Sequence, residues 1–164
     1  MKNVYIASDH TGFELKKEIV IYIKSLGYEP IDRGPFLFDK EDDYPDFIRP
    51  CAEAVASDEG SFGVIFGGSG QGEAMSANRV PGVRAAVFYG GVLAKGAVDI
   101  EGNMSTDPYE IVKLAREHNN ANIISFGTRF LTTEEMKEAI KIFLSIEWKN
   151  IERHDRRINK IDNK

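Results

Sequence analysis

The stretch Gly67-Gly-Ser-Gly-Gln-Gly-Glu73 brings together the groups that proton transfer beside a developing negative charge requires. Glycines let the backbone approach a ligand closely, and the first N–H groups of a following helix have no partners of their own. A hydroxyl at Ser69 and a carboxylate at Glu73, set beside such N–H groups, suit general-base chemistry with an oxyanion hole better than simple phosphate cradling. A tight turn into an acidic helix start is the plainer alternative, because the helix dipole alone would accommodate Glu73.

Further candidates stand at the ends of other segments. Asp9-His10 follows the first apolar run, Gly127-Thr-Arg129 follows the last, and His118-Asn119 ends a helical pattern. Each has a duller reading: Asp9 as an N-cap, His10 as a turn residue, and His118 as a partner of a helix C-terminus. Arg153 and Arg157, spaced i, i+4 in Arg153-His-Asp-Arg-Arg157, share one helix face. Charge runs are usually solvated, yet arginines with a histidine in an acidic protein suit a phosphate dianion. The three histidines lie in separate segments without an HxxxH or HExxH pair, so no metal site and no cofactor is expected.

These residues need a scaffold that gathers the ends of several strands. Asn3–Ser8 reads as a buried strand, followed by a helix carrying Phe13, Leu15, Ile19, Val20, Ile23 and Leu26. A short strand follows at Tyr28–Asp32, placed at an edge by Pro30. A helix then runs from Tyr44-Pro45 to Ala56, the third strand enters the glycine loop, and a short helix covers Ala74–Asn78. Strands are expected at Val83–Phe88 and Asn122–Phe126, and helices after Asp107-Pro108, after Thr132 and over the tail 148–164. Alternating strands and helices predict a three-layer α/β/α, doubly wound, five-stranded parallel sheet in one domain spanning 1–164. Residues 89–106 form an irregular excursion from it.

Composition narrows the function. The 164 residues are 42% apolar and 29% charged, with a net charge of −5, which excludes a general nucleic-acid surface. Cys51 is the only cysteine and falls on an apolar helical face, so neither a disulfide nor a multi-cysteine metal site is expected. No 18-residue apolar run occurs, which predicts a cytoplasmic protein without membrane contact.

Seven ordered motifs, from Ser8-Asp-His-Thr-Gly-Phe-Glu-Leu-Lys16 through Asp43-Tyr-Pro45, Gly67–Glu73, Ala77–Arg84, Ala115–Ala121 and Phe126–Arg129 to Arg153–Arg157, resemble type B ribose-5-phosphate isomerase. The wider family includes galactose-6-phosphate and allose-6-phosphate isomerases. The resemblance implies a homodimer or homotetramer that interconverts ribose 5-phosphate and ribulose 5-phosphate without a metal. One branch of that family uses a cysteine at the position of Gly67, the other a glutamate at the position of Glu73, and this sequence is similar to the second. By resemblance Glu73 is the base, Ser69 with the Gly70 amide the oxyanion hole, and Asp9 with a neighbouring subunit's His118 the ring-opening pair. His10, Arg129, Arg153 and Arg157 resemble the phosphate ligands, and Tyr44, Gly68, Gly72 and Asn119 line the same pocket. The departure is Tyr89–Thr106, where roughly 16 more residues intervene than the family's connection has.

Three other readings stay in view. A six-carbon aldose phosphate competes with ribose 5-phosphate, since one extra carbon changes only the depth of the pocket. A non-catalytic sugar-phosphate sensor would need the arginines but not the base. Dinucleotide binding fits poorly, because the third glycine of GxGxxG falls on Glu73.

Overall fold

The computed structural model describes residues 1–162 of the chain. Its elements, in order, are β1 (Asn3–Ser8), a 3₁₀ turn (His10–Gly12), α1 (Phe13–Ser25), β2 (Glu29–Asp32), α2 (Pro45–Ser57), β3 (Phe62–Gly67), α3 (Gln71–Ala77), β4 (Ala85–Phe88), α4 (Glu110–Asn119), β5 (Ile123–Gly127), α5 (Thr133–Ser145) and α6 (Glu152–Ile161). The strands form one parallel sheet in the order β2-β1-β3-β5-β4.

Alternation along the strands builds two apolar layers. Val4, Ile6, Val64, Phe66, Ile124 and Phe126 face α1, α4 and α5, where Ile19, Val112, Ile140 and Phe143 meet them. The intervening Ala7, Ile65 and Ile123 face α2 and α3 through Ile48, Cys51, Val55 and Ala77. All of β3 and β5 is buried, as central strands covered on both faces must be. Each large side chain so buried contributes about 1.5–3 kcal/mol. Gly63 is part of this fit, since a Cβ there would lie 2.8 Å from Ile123 and 3.2 Å from Val55. Cys51 is fully buried, and burial pushes its thiol pKa up to about 12.

Three boundaries differ from the sequence expectation. The third helix begins at Gln71, because Gly70 at φ +73° turns the chain directly into it. β4 begins at Ala85, since Gly82 at φ +83° and a Val83 N–H bond to the Val80 carbonyl keep 80–83 in a turn. α6 begins at Glu152, after Asn150 in the left-handed region. The last two residues of the expected tail lie outside the described residues. Thr132 caps α5 in full, exchanging bonds with Glu135 in a capping box.

After β1 the chain turns outward to β2, then crosses back to β3. The crevice at the C-terminal ends of β1 and β3 is thus the topological switch point, where ligands bind in open α/β sheets. Asp9 and the glycine loop both open into it. Among the described residues, no helix is long and apolar enough to cross a membrane.

Candidate active site

The glycine loop is fused to the end of β5. Thr128 N–H donates to the Gly67 carbonyl at 2.9 Å, and Ser125 Oγ donates to the Gly70 carbonyl at 2.7 Å. Contact is close enough that a Cβ on Gly70 would lie 2.8 Å from the Phe126 carbonyl carbon, and one on Gly127 2.8 Å from the Ser69 oxygen. Ser69 Oγ accepts the Gln71 amide at 3.3 Å, at the exposed rim.

Glu73, in the first turn of α3, is only 4% exposed. Its carboxylate lies over Gly67 Cα, in the space a Cβ at that position would take. Burial raises its pKa and the Asp9 charge adds to this, while the amides of Glu73 and Gly70 oppose it. The dipole of α3 alone would lower it. In the structure, packing against Gly67 already makes burial the larger effect.

Around this centre stand Asp9, His10, Tyr44 and Arg129. Asp9 is 7% exposed and does cap the 3₁₀ turn, with both its bonds, from Thr11 N–H at 2.8 Å and Thr11 Oγ1 at 2.5 Å, falling on Oδ1. Tyr44 Oη overlies Gly72, and the Arg129 guanidinium overlies Gly68, where Cβ atoms would come within 2.7 and 3.0 Å of them respectively. These two glycines therefore admit side chains that line the crevice. His10 Nδ1 pairs with Asp42 Oδ1 at 2.6 Å. That bond raises the His10 pKa against the opposing effect of burial, with the charges of Asp9 and Asp42 adding to it. The side chain of Asp42, a residue the sequence does not mark out, is buried with Oδ2 unpartnered.

His118, Asn119, Arg153 and Arg157 form a second group. α4 runs back against the strands, so His118 and Asn119 lie beside the start of β5, where the Asn122 carbonyl accepts the Gly63 amide. Within one chain the length of β5, roughly 15–20 Å, separates them from Glu73. Arg153 and Arg157 lie with them on α6 rather than beside the glycine loop, where Arg129 stands. His154 stacks on His118 with ring centres 4.3 Å apart, bonds the His118 carbonyl through Nδ1 at 3.1 Å and accepts Arg153 Nε at 2.9 Å. Burial lowers the His118 pKa, with His154 and Arg153 adding to the fall, so its imidazole is neutral near pH 7. Asn119 and Arg157 are exposed. A groove of about 790 Å³ passes Asn119, Arg84 and Asp162 at this same end.

Fold and site define a doubly wound α/β domain with a buried carboxylate at its switch point, and comparison with known proteins gives it a family. The ribose/galactose isomerase profile matches residues 4–106 and 99–161, and the chain belongs to that family. Ribose-5-phosphate isomerase B of Mycolicibacterium paratuberculosis is 39% identical over 156 residues, covering 95% of this chain and 87% of that protein. The Mycoplasma genitalium ribose-5-phosphate isomerase B structure with bound ribulose-5-phosphate superposes with a TM-score of 0.83 at 36% identity, covering 98% and 94% of the two chains. The Trypanosoma cruzi type B structure gives 0.84 at 36% identity, with 99% and 95% covered. The two matched segments of the profile overlap at 99–106, inside the irregular connection.

Proposed function

We propose that this chain interconverts D-ribose 5-phosphate and D-ribulose 5-phosphate through an enediolate, in sites shared between two copies. The observation that carries the reading is Glu73, a buried carboxylate with a raised pKa beside a hydroxyl and a glycine loop. Its relatives' activity and the ribulose-5-phosphate bound to one of them supply the substrate class.

Moving a proton from C2 to C1 needs one base that reaches both carbons and donors for the charge gathering on oxygen. Glu73 takes that proton and returns it, and Ser69 with the Gly70 amide receives the oxyanion. Asp9 and His118 of a second copy open the furanose ring, a role suited to a neutral imidazole that can accept and donate. His10 and Arg129 bind the phosphate with Arg153 and Arg157 of the second copy. Tyr44, Gly68, Gly72 and Asn119 complete the walls.

Ketose formation from a panel of aldose phosphates, with EDTA present, tests substrate and metal independence together. Turnover of ribose 5-phosphate well above that of allose and galactose 6-phosphates supports the reading. Preference for a six-carbon substrate refutes the substrate, and binding without turnover would identify a sensor.

Sharing predicts complementation. Glu73→Gln and His118→Ala proteins, each inactive, regain activity when co-refolded, because one site of each mixed dimer has both functional groups. With random pairing the recovery is about a quarter of the wild-type rate. No recovery in demonstrably mixed dimers would show that His118 serves its own chain.

Asp42 enters through His10. Since the Asp42 bond raises the His10 pKa, the imidazolium that attracts phosphate persists to higher pH and is lost as pH rises through that pKa. Asp42→Asn therefore raises KM roughly tenfold near neutral pH, the worth of one charge-assisted interaction. The rise of KM with pH also begins at a lower pH in that variant, and coincident profiles would exclude the coupling.

A further inference from the structure

We propose that Tyr89, at the start of the long connection 89–106, is a positioning residue that fixes the peptide between Ser69 and Gly70. The inference rests on the oxyanion role given above to that peptide's N–H. Tyr89 Oη donates to the Ser69 carbonyl at 2.6 Å, the one side-chain bond that reaches this carbonyl among the described residues.

In a planar trans peptide the C=O and the N–H point in opposite directions. Holding the Ser69 oxygen toward Tyr89 thus aims the Gly70 N–H the other way, toward the Glu73 carboxylate, whose pKa that amide lowers. Such a clamp has something to oppose. Glycine tolerates both signs of φ, so a peptide preceding Gly70, at φ +73°, rotates at little cost. Rotation would turn the carbonyl oxygen into the pocket and the donor out of it, converting an oxyanion hole into a repulsive wall.

The neighbouring groups leave this task to Tyr89. Ser125 Oγ holds the next carbonyl, that of Gly70, and Gly127 makes room for the Ser69 oxygen without binding it. The tyrosine ring is itself braced edge-on by Phe130, with ring centres 5.8 Å apart at 88°. Phe130 follows Arg129, so the brace ties the oxyanion peptide to the segment that carries an arginine of the phosphate set. A hydrogen bond accepted at the carbonyl also polarises the peptide and strengthens its N–H as a donor.

Beyond Tyr89 the chain leaves the site. Gly90 at φ +120° redirects it, and Gly91 packs against Pro108, where a Cβ would lie 2.9 Å from the proline ring. The Val92 amide then bonds the Pro108 carbonyl at 2.9 Å, closing the neck of the excursion. The neck thus holds Tyr89 in place whatever the exposed tip of the segment does.

The test is Tyr89→Phe in the full chain, which keeps the ring on Phe130 and removes only the donor. Four quantities are measured: kcat and KM for ribose 5-phosphate, the Kd of a phosphorylated hydroxamate mimic of the enediolate, the Kd of inorganic phosphate, and Tm. We expect kcat to fall about tenfold and the mimic to bind about tenfold more weakly, with KM, phosphate affinity and Tm within about twofold or 2 °C of wild type. A merely structural role would lower Tm or weaken phosphate and mimic alike, and either result overturns the proposal. Glu73→Gln is assayed alongside. If it is inactive while Tyr89→Phe turns over normally, the positioning role is wrong and the isomerase reading stands; if it turns over normally, both are wrong.

Discussion

Glu73→Gln is expected to lower kcat for ribose 5-phosphate by about 10³- to 10⁴-fold while the protein folds normally. Glutamine keeps the shape of the side chain over Gly67 and removes only its capacity to take the C2 proton. KM should change little, since the proposed mechanism gives the phosphate to His10 and the arginines and not to this carboxylate. The pH dependence carries the sharper test. Burial raises the Glu73 pKa, so the active carboxylate is lost as pH falls through a value above the ordinary glutamate range of about 4.3. The acid limb of kcat/KM should lie there in the wild-type protein and be absent from the residual rate of the variant.

Stability should move the opposite way from activity. Because the folded pKa is raised, the protonated form favours folding, and that contribution is lost as pH rises through the folded pKa. Above it the buried charge destabilises the fold, and Glu73→Gln removes the charge. The variant should therefore equal or exceed the wild type in Tm at pH 8, with the advantage shrinking toward pH 4. A variant that is inactive and also less stable at pH 8 would point to a structural carboxylate instead of a base.

The second large effect is expected at Gly67. Its backbone is not in the left-handed region, so alanine suits it conformationally, yet the added Cβ would fall within the Glu73 carboxylate. Gly67→Ala should displace that group by an ångström or more and lower kcat/KM about 10²-fold or further. Overpacking should also cost about 1–3 kcal/mol of stability. In Gly67→Ala with Glu73→Ala the clash is gone, so Tm should recover much of the loss while activity does not. Additive losses of stability would mean that the two positions do not compete for space. The same geometry accounts for the division that the resemblance implies: a thiol at position 67 and a carboxylate at position 73 would occupy one volume.

Much of the scaffold was legible from pattern alone. Continuous apolar runs such as Val64-Ile-Phe66, punctuated by Gly and alternating with 3.6-residue periodicity, leave few alternatives to a covered parallel sheet. Boundaries were missed where a single positive-φ residue decided them, as at Gly70, Gly82 and Asn150, because such a turn leaves no periodic signal. Asp42 was missed for a different reason. One aspartate among Asp39, Asp42, Asp43 and Asp46 has no local mark that sets it apart, and only the fold of the 33–43 loop brings it to His10.

Chemistry, then, was set by residue type and order: a glutamate three residues after Gly70, a serine at the loop rim, and basic groups at strand ends, all of which are local in the chain. Orientation and microenvironment were not. That Glu73 is buried over Gly67 follows from where α3 packs, and the raised pKa follows from that burial and the charge of Asp9 just past the end of β1. The separation of His118 and Arg153 from the glycine loop follows from the sheet order and the reversed run of α4. Tyr89 reaches the Ser69 carbonyl only because β4, an edge strand, ends beside the loop after β3 with β5 between them. Proximity between residues distant in the chain is created by tertiary packing, and it is this proximity that gives ordinary side chains the environment the proposed chemistry needs.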